Sequence, residues 1–234
     1  MSEPLRSTRR ELLRTLTAAG ALAAGATLLN ACGAGAETST SGTSGAPPPS
    51  GHTGALIMII RHGERPPASG PPLGVDAAAQ PDIHSLTPQG WARAGALFKL
   101  FAPATGAPRP GLAHPTAIYA SGGAAGEGLR TRQTVTPLAT HLGIPVNTQF
   151  SKGNETSLAN EVARRGEPTL ICWQHGELPA IATALQNVTP APPAQWPDGR
   201  YDLVWTLAPT TTTGWSFHQI PELLLPGDSN QSIA

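Results

Sequence analysis

An apolar stretch near residue 60 ends abruptly in side chains that can bind an anion. The run at 56–60 gives way to Arg61-His62-Gly63, and a further cation, Arg65, follows two residues later. A guanidinium offers forked N–H donors, and an imidazole can act as a nucleophile. Either the stretch is a strand that enters a solvated loop, or its end is built to hold an anion.

Other basic residues occupy comparable places in the chain. His175 follows the apolar run at 169–173, and Arg130 stands near the start of a predicted helix that follows the run at 116–121. In open α/β sheets, ligands bind beyond the carboxyl ends of the strands, so these side chains should meet at one edge. Arginine forks match phosphate oxygens, and a helix N-terminus adds positive partial charge. The pattern predicts a pocket for a phosphate-like dianion.

Apolar runs alternate with helical patterns after residue 54. Five runs are predicted as strands, at 55–60, 116–121, 144–148, 169–173 and 202–207. Helices are predicted over 86–101, with Thr87 as N-cap and Pro88 as first residue, and over 128–142, ending at Gly143. Strands separated by helices predict an α/β domain with a mostly parallel central sheet.

Composition limits the classes of function. The 15 basic and 15 acidic residues of the 234-residue chain cancel, so nothing indicates a nucleic-acid surface. Cys32 and Cys172 are the two cysteines, and no His/Cys spacing of zinc type occurs, so no structural metal is predicted. Residues 54–234 are predicted to form one domain with a sizeable core.

The first 32 residues have the pattern of an export signal. Arg9-Arg10 precedes the uncharged stretch 16–29, which is shorter than the ~20 apolar residues of a membrane-spanning helix. The paired arginines indicate a signal peptide of the twin-arginine type over 1–32. An amphipathic N-terminal helix is the alternative, although the segment is apolar all round.

Two features follow this signal. The sequence around Cys32 resembles a bacterial lipoprotein box, in which the cysteine becomes the lipidated first residue of the mature protein; otherwise Cys32 is a free thiol. Residues 33–53 are mainly Gly, Ser, Thr, Ala and Pro with one charge, Glu37, and predict a flexible linker. We therefore expect an exported, extracytoplasmic protein that contacts the membrane through a lipid anchor alone.

The chain contains four motifs in order: RHG at 61–63, LTPQGWARAGAL at 86–97, YASG…LRTRQTV at 119–135 and WQHGE at 173–177. Together they resemble the histidine phosphatase superfamily, also called phosphoglycerate-mutase-like. The resemblance covers nearly all of residues 55–225. RHGERPP resembles the acid-phosphatase branch, whereas the short domain resembles the smaller mutase and phosphatase branch. The resemblance implies a three-layer α/β/α sandwich.

The resemblance also implies roles for the basic residues. His62 would be the nucleophile that forms a phosphohistidine, while Arg61, Arg130 and His175 would grip the phosphoryl oxygens. Arg65 is either a further phosphate contact or a surface residue in an ion pair. No metal or other cofactor is implied, and the expected partner is a small phosphorylated substrate.

Two glutamates are candidates for the acid that protonates the departing oxygen. Glu177, two residues after His175, resembles the His-x-Glu arrangement of multiple inositol polyphosphate phosphatases. Glu155 lies about where the smaller branch places its glutamate, but it could instead compensate charge at a helix N-terminus. Glu177 is the preferred assignment.

These features predict a metal-independent phosphomonoester hydrolase with an extracytoplasmic substrate. A phosphoglycerate-type mutase would use the same histidine chemistry, but export argues against its cytosolic substrates. A non-catalytic lipoprotein that binds a phosphorylated ligand is the other alternative.

Overall fold

The computed structural model describes residues 55–124, 126–210 and 213–234. The predicted signal peptide, the linker and the lipidation site Cys32 lie outside these residues. Within the described ranges, no helix is both long enough and apolar enough to cross a membrane.

Strands and helices alternate along most of the described chain. The strands are β1 (Ile57–Arg61), β2 (Ala117–Ala120), β3 (Val146–Asn147), β4 (Thr169–Trp173), β5 (Val188–Thr189), β6 (Leu203–Pro209) and β7 (Trp215–Pro221). The α-helices are α1 (Pro88–Ala96), α2 (Phe98–Phe101), α3 (Leu129–Leu142), α4 (Glu155–Arg164) and α5 (Leu178–Ala184). A short 3₁₀ helix at His175–Glu177 joins β4 to α5.

The strands form one mixed sheet in the order β3-β2-β4-β1-β6-β7-β5. Strands β3, β2, β4 and β1 run parallel, β6 pairs antiparallel with β1 and β7, and β5 is parallel to β7. This arrangement confirms the predicted α/β class with a mostly parallel sheet. Neither β5 nor β7 was among the predicted strands. β5 has two residues, and β7 places half-buried Ser216 between buried Trp215 and Phe217, a weaker pattern than the apolar runs.

Helices cover both faces of the sheet, which confirms the three-layer sandwich. Ile57 and Ile59 of β1 belong to a core that includes residues of α4 and α5. Met58 and Ile60 belong to a second core with residues of α2 and α3. Because both faces are covered, β1 and β4 are buried along their whole length.

The start of α1 and the end of α3 lie where the capping residues of the sequence predict them. Thr87 is the N-cap of α1 and accepts a hydrogen bond from the Gly90 N–H at 3.2 Å, and Gly143 ends α3 in the left-handed conformation at φ 68°. The prediction of one helix over 86–101 is wrong, because α1 ends at Ala96 and α2 begins at Phe98. The turn tightens between them at Leu97, whose carbonyl accepts from two N–H groups.

Two glycines let the end of β1 rest directly on the first turn of α1. A Cβ at Gly90 would lie 2.6 Å from the Glu64 carbonyl oxygen, and a Cβ at Gly63 would lie 2.9 Å from the Gly90 carbonyl oxygen. The Thr87 N–H also donates to Glu64 O at 2.9 Å. The segment that carries His62 is thereby fixed between the sheet and α1.

Candidate active site

His62 is held at the end of β1 as a buried, neutral imidazole. It is 4% exposed, and its Nδ1–H donates to the Gly63 carbonyl oxygen at 2.7 Å. A carbonyl oxygen can only accept, so Nδ1 carries the proton and Nε2 keeps its lone pair. Burial, reinforced by the charges of Arg61 and Arg130, lowers the pKa of His62 to about 3. The ring is therefore uncharged at neutral pH, as a nucleophile must be.

A cavity of about 130 Å³ lies beside His62 at the N-terminus of α3. Its lining residues are His62, His84, Gly126, Gly128, Leu129, Arg130, Thr131 and Gln174. The N-cap of α3, Gly128, has φ 61°, and no side chain of the described residues caps the first N–H groups of the helix. Pockets that enclose a whole small molecule usually measure roughly 300–1,000 Å³, so this cavity suits one small anionic group.

Arg61 is a buried cation whose guanidinium is only partly hydrogen-bonded to the described residues. Its Nη1 donates to the carbonyl oxygens of Pro197, Asp198 and Arg200, and its Cζ lies 3.8 Å from the centre of the Tyr201 ring. Its Nε and Nη2 are buried and have no hydrogen-bond partner among the described residues. Burial lowers its pKa to about 10, which still leaves the side chain charged at neutral pH. An anionic oxygen would satisfy these two donors.

Three of the predicted phosphate ligands meet on the carboxylate of Asp198. Its Oδ1 lies 2.8 Å from His175 Nε2, 3.4 Å from Arg65 Nη2 and 3.8 Å from Arg61 Nη2. The charge of His175, followed by that of Arg65, lowers the pKa of Asp198. The pKa of His175 is also lowered, because burial and the charge of Arg61 outweigh the attraction of Asp198. These three side chains thus already converge on one anionic oxygen.

Arg130 connects the cavity of His62 to the loop that precedes α1. It lies in the first turn of α3, where its Nη2 donates to Ile83 O at 2.8 Å and its Nε to Ser85 O at 3.3 Å. Burial, followed by the charge of Arg65, lowers its pKa. Arg130 therefore lines the cavity while it holds the loop in place.

The two candidate acids occupy different environments. Glu155 is 7% exposed, and its Oε1 accepts from Trp173 Nε1 at 2.9 Å and from the Gly153 N–H at 3.1 Å. Glu177 is partly exposed and forms an ion pair with Lys152 Nζ at 2.7 Å. Neither glutamate is among the described residues that line the cavity of His62. Both assignments therefore stay predictions.

The site also contains residues that the sequence did not single out. Asp198 and Tyr201 contact Arg61 from about 140 positions further along the chain, and no local motif marks them. Gln174 lines the cavity and donates from Nε2 to Ser121 Oγ at 3.1 Å. Its place between β4 and His175 was a signal that could have identified it.

No protein-family model matches this sequence, and no curated protein matches it. Several solved structures can be aligned with it. The protein histidine phosphatase SixA complexed with tungstate is 15% identical, has a TM-score of 0.40, and aligns over 71% of this chain and 97% of its own. The mycobacterial glucosyl-3-phosphoglycerate phosphatase is 13% identical, has a TM-score of 0.43, and aligns over 72% of this chain and 98% of its own. The Bombix mori ecdysone phosphate phosphatase is 13% identical, has a TM-score of 0.40, and aligns over 77% of this chain and 96% of its own.

These structural neighbours are members of the histidine phosphatase superfamily, which the sequence motifs also resemble. All three TM-scores are below 0.5, so the chemistry proposed below rests on the residues of this chain's own site.

Proposed function

We propose that the protein is a phosphomonoester hydrolase of the histidine phosphatase superfamily that forms a phosphohistidine on His62 and needs no metal ion. The state of His62 is the observation that carries this proposal. Its ring is buried and neutral, its Nδ1–H is committed to the Gly63 carbonyl, and it lines a small cavity with Arg130. A neutral nucleophile beside a site for a small anion is the arrangement that phosphoryl transfer to nitrogen requires.

The reaction then proceeds in two displacements. In the first, Nε2 of His62 bonds to phosphorus while the bond from phosphorus to the leaving-group oxygen breaks, and an acid protonates that oxygen. The hydrogen bond from Nδ1 to the Gly63 carbonyl stabilises the cationic ring that results. In the second, a water molecule attacks phosphorus, returns a proton to the same group, and releases inorganic phosphate and the neutral imidazole.

Fixed positive groups stabilise both transition states. Charge spreads over the equatorial oxygens of the transferring group, and donors that are already in place cost no reorganisation at that moment. Arg61 supplies two buried donors that have no hydrogen-bond partner among the described residues, while Arg130 and the N-terminus of α3 line the cavity. We assign Asp198 the role of holding Arg65 and His175 before the substrate arrives.

Covalent labelling tests this function. After brief mixing with a ³²P-labelled phosphomonoester, the wild-type protein should carry an acid-labile label and release inorganic phosphate. His62→Ala should lose the label, and its turnover should fall by more than the ~10²–10⁴-fold expected for an acid–base group. His141→Ala is the matched control, because His141 is exposed at the opposite end of α3.

Three other outcomes would point elsewhere. Phosphate that moves within the substrate without release would indicate a mutase. Tight binding of phosphomonoesters without a label or turnover would indicate a binding protein. Loss of activity on chelation and its recovery with added metal would overturn the metal-independent mechanism.

We also propose that the protein acts outside the cytoplasm on a phosphorylated substrate, anchored by a lipid on Cys32. The support for this is in the sequence, from Arg9-Arg10 and the residues around Cys32. Cys32→Ala should release the mature chain from the membrane fraction or stall its processing. A variant that stays membrane-bound at its mature size would rule out the lipid anchor.

A further inference from the structure

A cavity next to the phosphate site has an apolar wall. Among the described residues, three large hydrophobic side chains are exposed: Leu73 at 56%, Ile83 at 70% and Leu223 at 52%. Leu73 and Ile83 line one and the same cavity, which has a volume of about 440 Å³ and also includes Pro66 and Pro67. Aliphatic side chains that share one concave surface more often mark a binding site than isolated exposed ones do.

This cavity adjoins the proposed phosphate site, because the two cavities share lining residues. Arg130 and His84 line both it and the smaller cavity of His62. Arg65, which pairs with Asp198, also lines it. The lining of this cavity therefore combines two cationic side chains, Arg65 and Arg130, with two exposed aliphatic ones, Leu73 and Ile83.

Hydrogen bonds on both sides of Ile83 fix the loop that carries this side chain. Asp82 accepts from the His84 N–H at 2.9 Å and from Ser85 Oγ at 2.6 Å. Arg130 Nη2 donates to the Ile83 carbonyl oxygen at 2.8 Å. The backbone that presents Ile83 is thus ordered by one of the side chains that we assign to the phosphoryl group.

We propose that this cavity binds the leaving-group part of the substrate and that the substrate is a phosphomonoester of an apolar alcohol, such as a long alkyl alcohol. The proposal rests on the phosphatase function above. A molecule with a dianionic head and an apolar tail matches the cationic and the aliphatic side chains of this lining. Binding the tail removes water from Leu73 and Ile83, which are exposed in the free protein.

A series of n-alkyl phosphates from ethyl to octyl, used below the concentrations at which they form micelles, tests the proposal on the full chain. For the wild type, kcat/KM should rise by up to about fourfold for each methylene that the cavity encloses, and then level off. In the double variant Leu73→Ser/Ile83→Ser, the ratio of kcat/KM for octyl and ethyl phosphate should fall towards one. Leu223→Ser removes an equally exposed leucine that does not line this cavity, and should leave both values unchanged.

Binding measurements keep this proposal separate from the phosphatase function. Calorimetry should show octylphosphonate, which cannot be hydrolysed, binding more tightly than ethylphosphonate, and the double variant should lose that preference. If ethyl and octyl phosphate are hydrolysed equally well, the protein is a phosphatase and the apolar subsite is wrong. If nothing is hydrolysed but octylphosphonate is preferred, the subsite stands and the phosphatase function fails. Equal binding of the two phosphonates overturns the subsite whatever the activity.

Discussion

At the scale of single residues, the proposed reaction needs one carboxylic acid to protonate the departing oxygen. Glu155 is buried and committed to Trp173 Nε1, whereas Glu177 is partly exposed and held by one surface lysine. We therefore keep Glu177 as the preferred acid. Glu177→Gln should slow hydrolysis of alkyl phosphates by roughly 10²–10⁴-fold. It should slow p-nitrophenyl phosphate far less, because that leaving group departs without a proton.

Glu155→Gln is the matched comparison for this prediction. It keeps an oxygen that can accept from Trp173 Nε1, so we expect a small loss that is the same for both substrates. The reverse pattern would transfer the acid role to Glu155. If neither variant discriminates between the substrates, Asp198→Asn becomes the next variant to measure, because Asp198 lies 2.8 Å from His175.

At the scale of elements, the close contact between β1 and α1 positions His62, the proposed nucleophile. A Cβ at Gly90 would meet the backbone of Glu64 at 2.6 Å and 2.9 Å, so either the strand end or the helix must move. Gly90→Ala should therefore reduce the free energy of unfolding by about 1–3 kcal/mol and lower kcat/KM, because the segment that carries His62 shifts. Denaturant titration and steady-state kinetics measure the two effects.

Gly95→Ala in the same helix is the control. A Cβ at Gly95 would meet nothing within 4 Å, so alanine should raise the stability of α1 by up to ~1 kcal/mol and leave the activity intact. If both alanine variants behave alike, the close approach of Gly90 does not position the site.

At the scale of the whole molecule, one buried arginine joins distant segments. Arg93 of α1 contacts the carboxyl groups of Glu64 at 2.8 Å, Glu222 at 2.7 Å and Asp228 at 2.7 Å. Three carboxyl groups share this one guanidinium. Burial, with the added negative charges of Asp228 and Glu64, raises the pKa of Glu222 from 4.5 to about 8 against the attraction of Arg93.

This raised pKa predicts how stability depends on pH. Between pH 4.5 and about 8, Glu222 keeps its proton in the folded protein and loses it in the unfolded chain. Its contribution to stability is therefore complete below pH 4.5 and declines by up to ~1.4 kcal/mol per pH unit until about pH 8. Glu222→Gln should remove this decline, as seen by denaturant titrations at several pH values.

Glu167→Gln makes the same substitution at a side chain that is 57% exposed. This variant should show the same decline of stability with pH as the wild type. If Glu222→Gln and the wild type show the same pH dependence, Glu222 is ionised in the folded protein and the ion pair with Arg93 dominates.

Local features of the chain were enough to predict five of the strands and the position of His62 at the end of β1. The uninterrupted apolar runs of β1 and β4 require cover on both faces, and such strands place their carboxyl ends, with Arg61, His62 and His175, at one edge. Thr87 and Gly143 marked a helix start and a helix end because capping depends on residues close in sequence. The break at Leu97 was not predicted, because the apolar pattern continues through it.

The sequence by itself determined which basic side chains follow the strands, and it made His62 the candidate nucleophile. Only the tertiary structure decided what these side chains touch. Asp198, which joins His175 and Arg65, and Tyr201, which stacks on Arg61, come from a segment far along the chain. Periodicity and capping report neighbours within a few residues. Contacts across more than a hundred positions, and the burial that lowers the pKa of His62, exist only once the sheet and its two layers of helices have assembled.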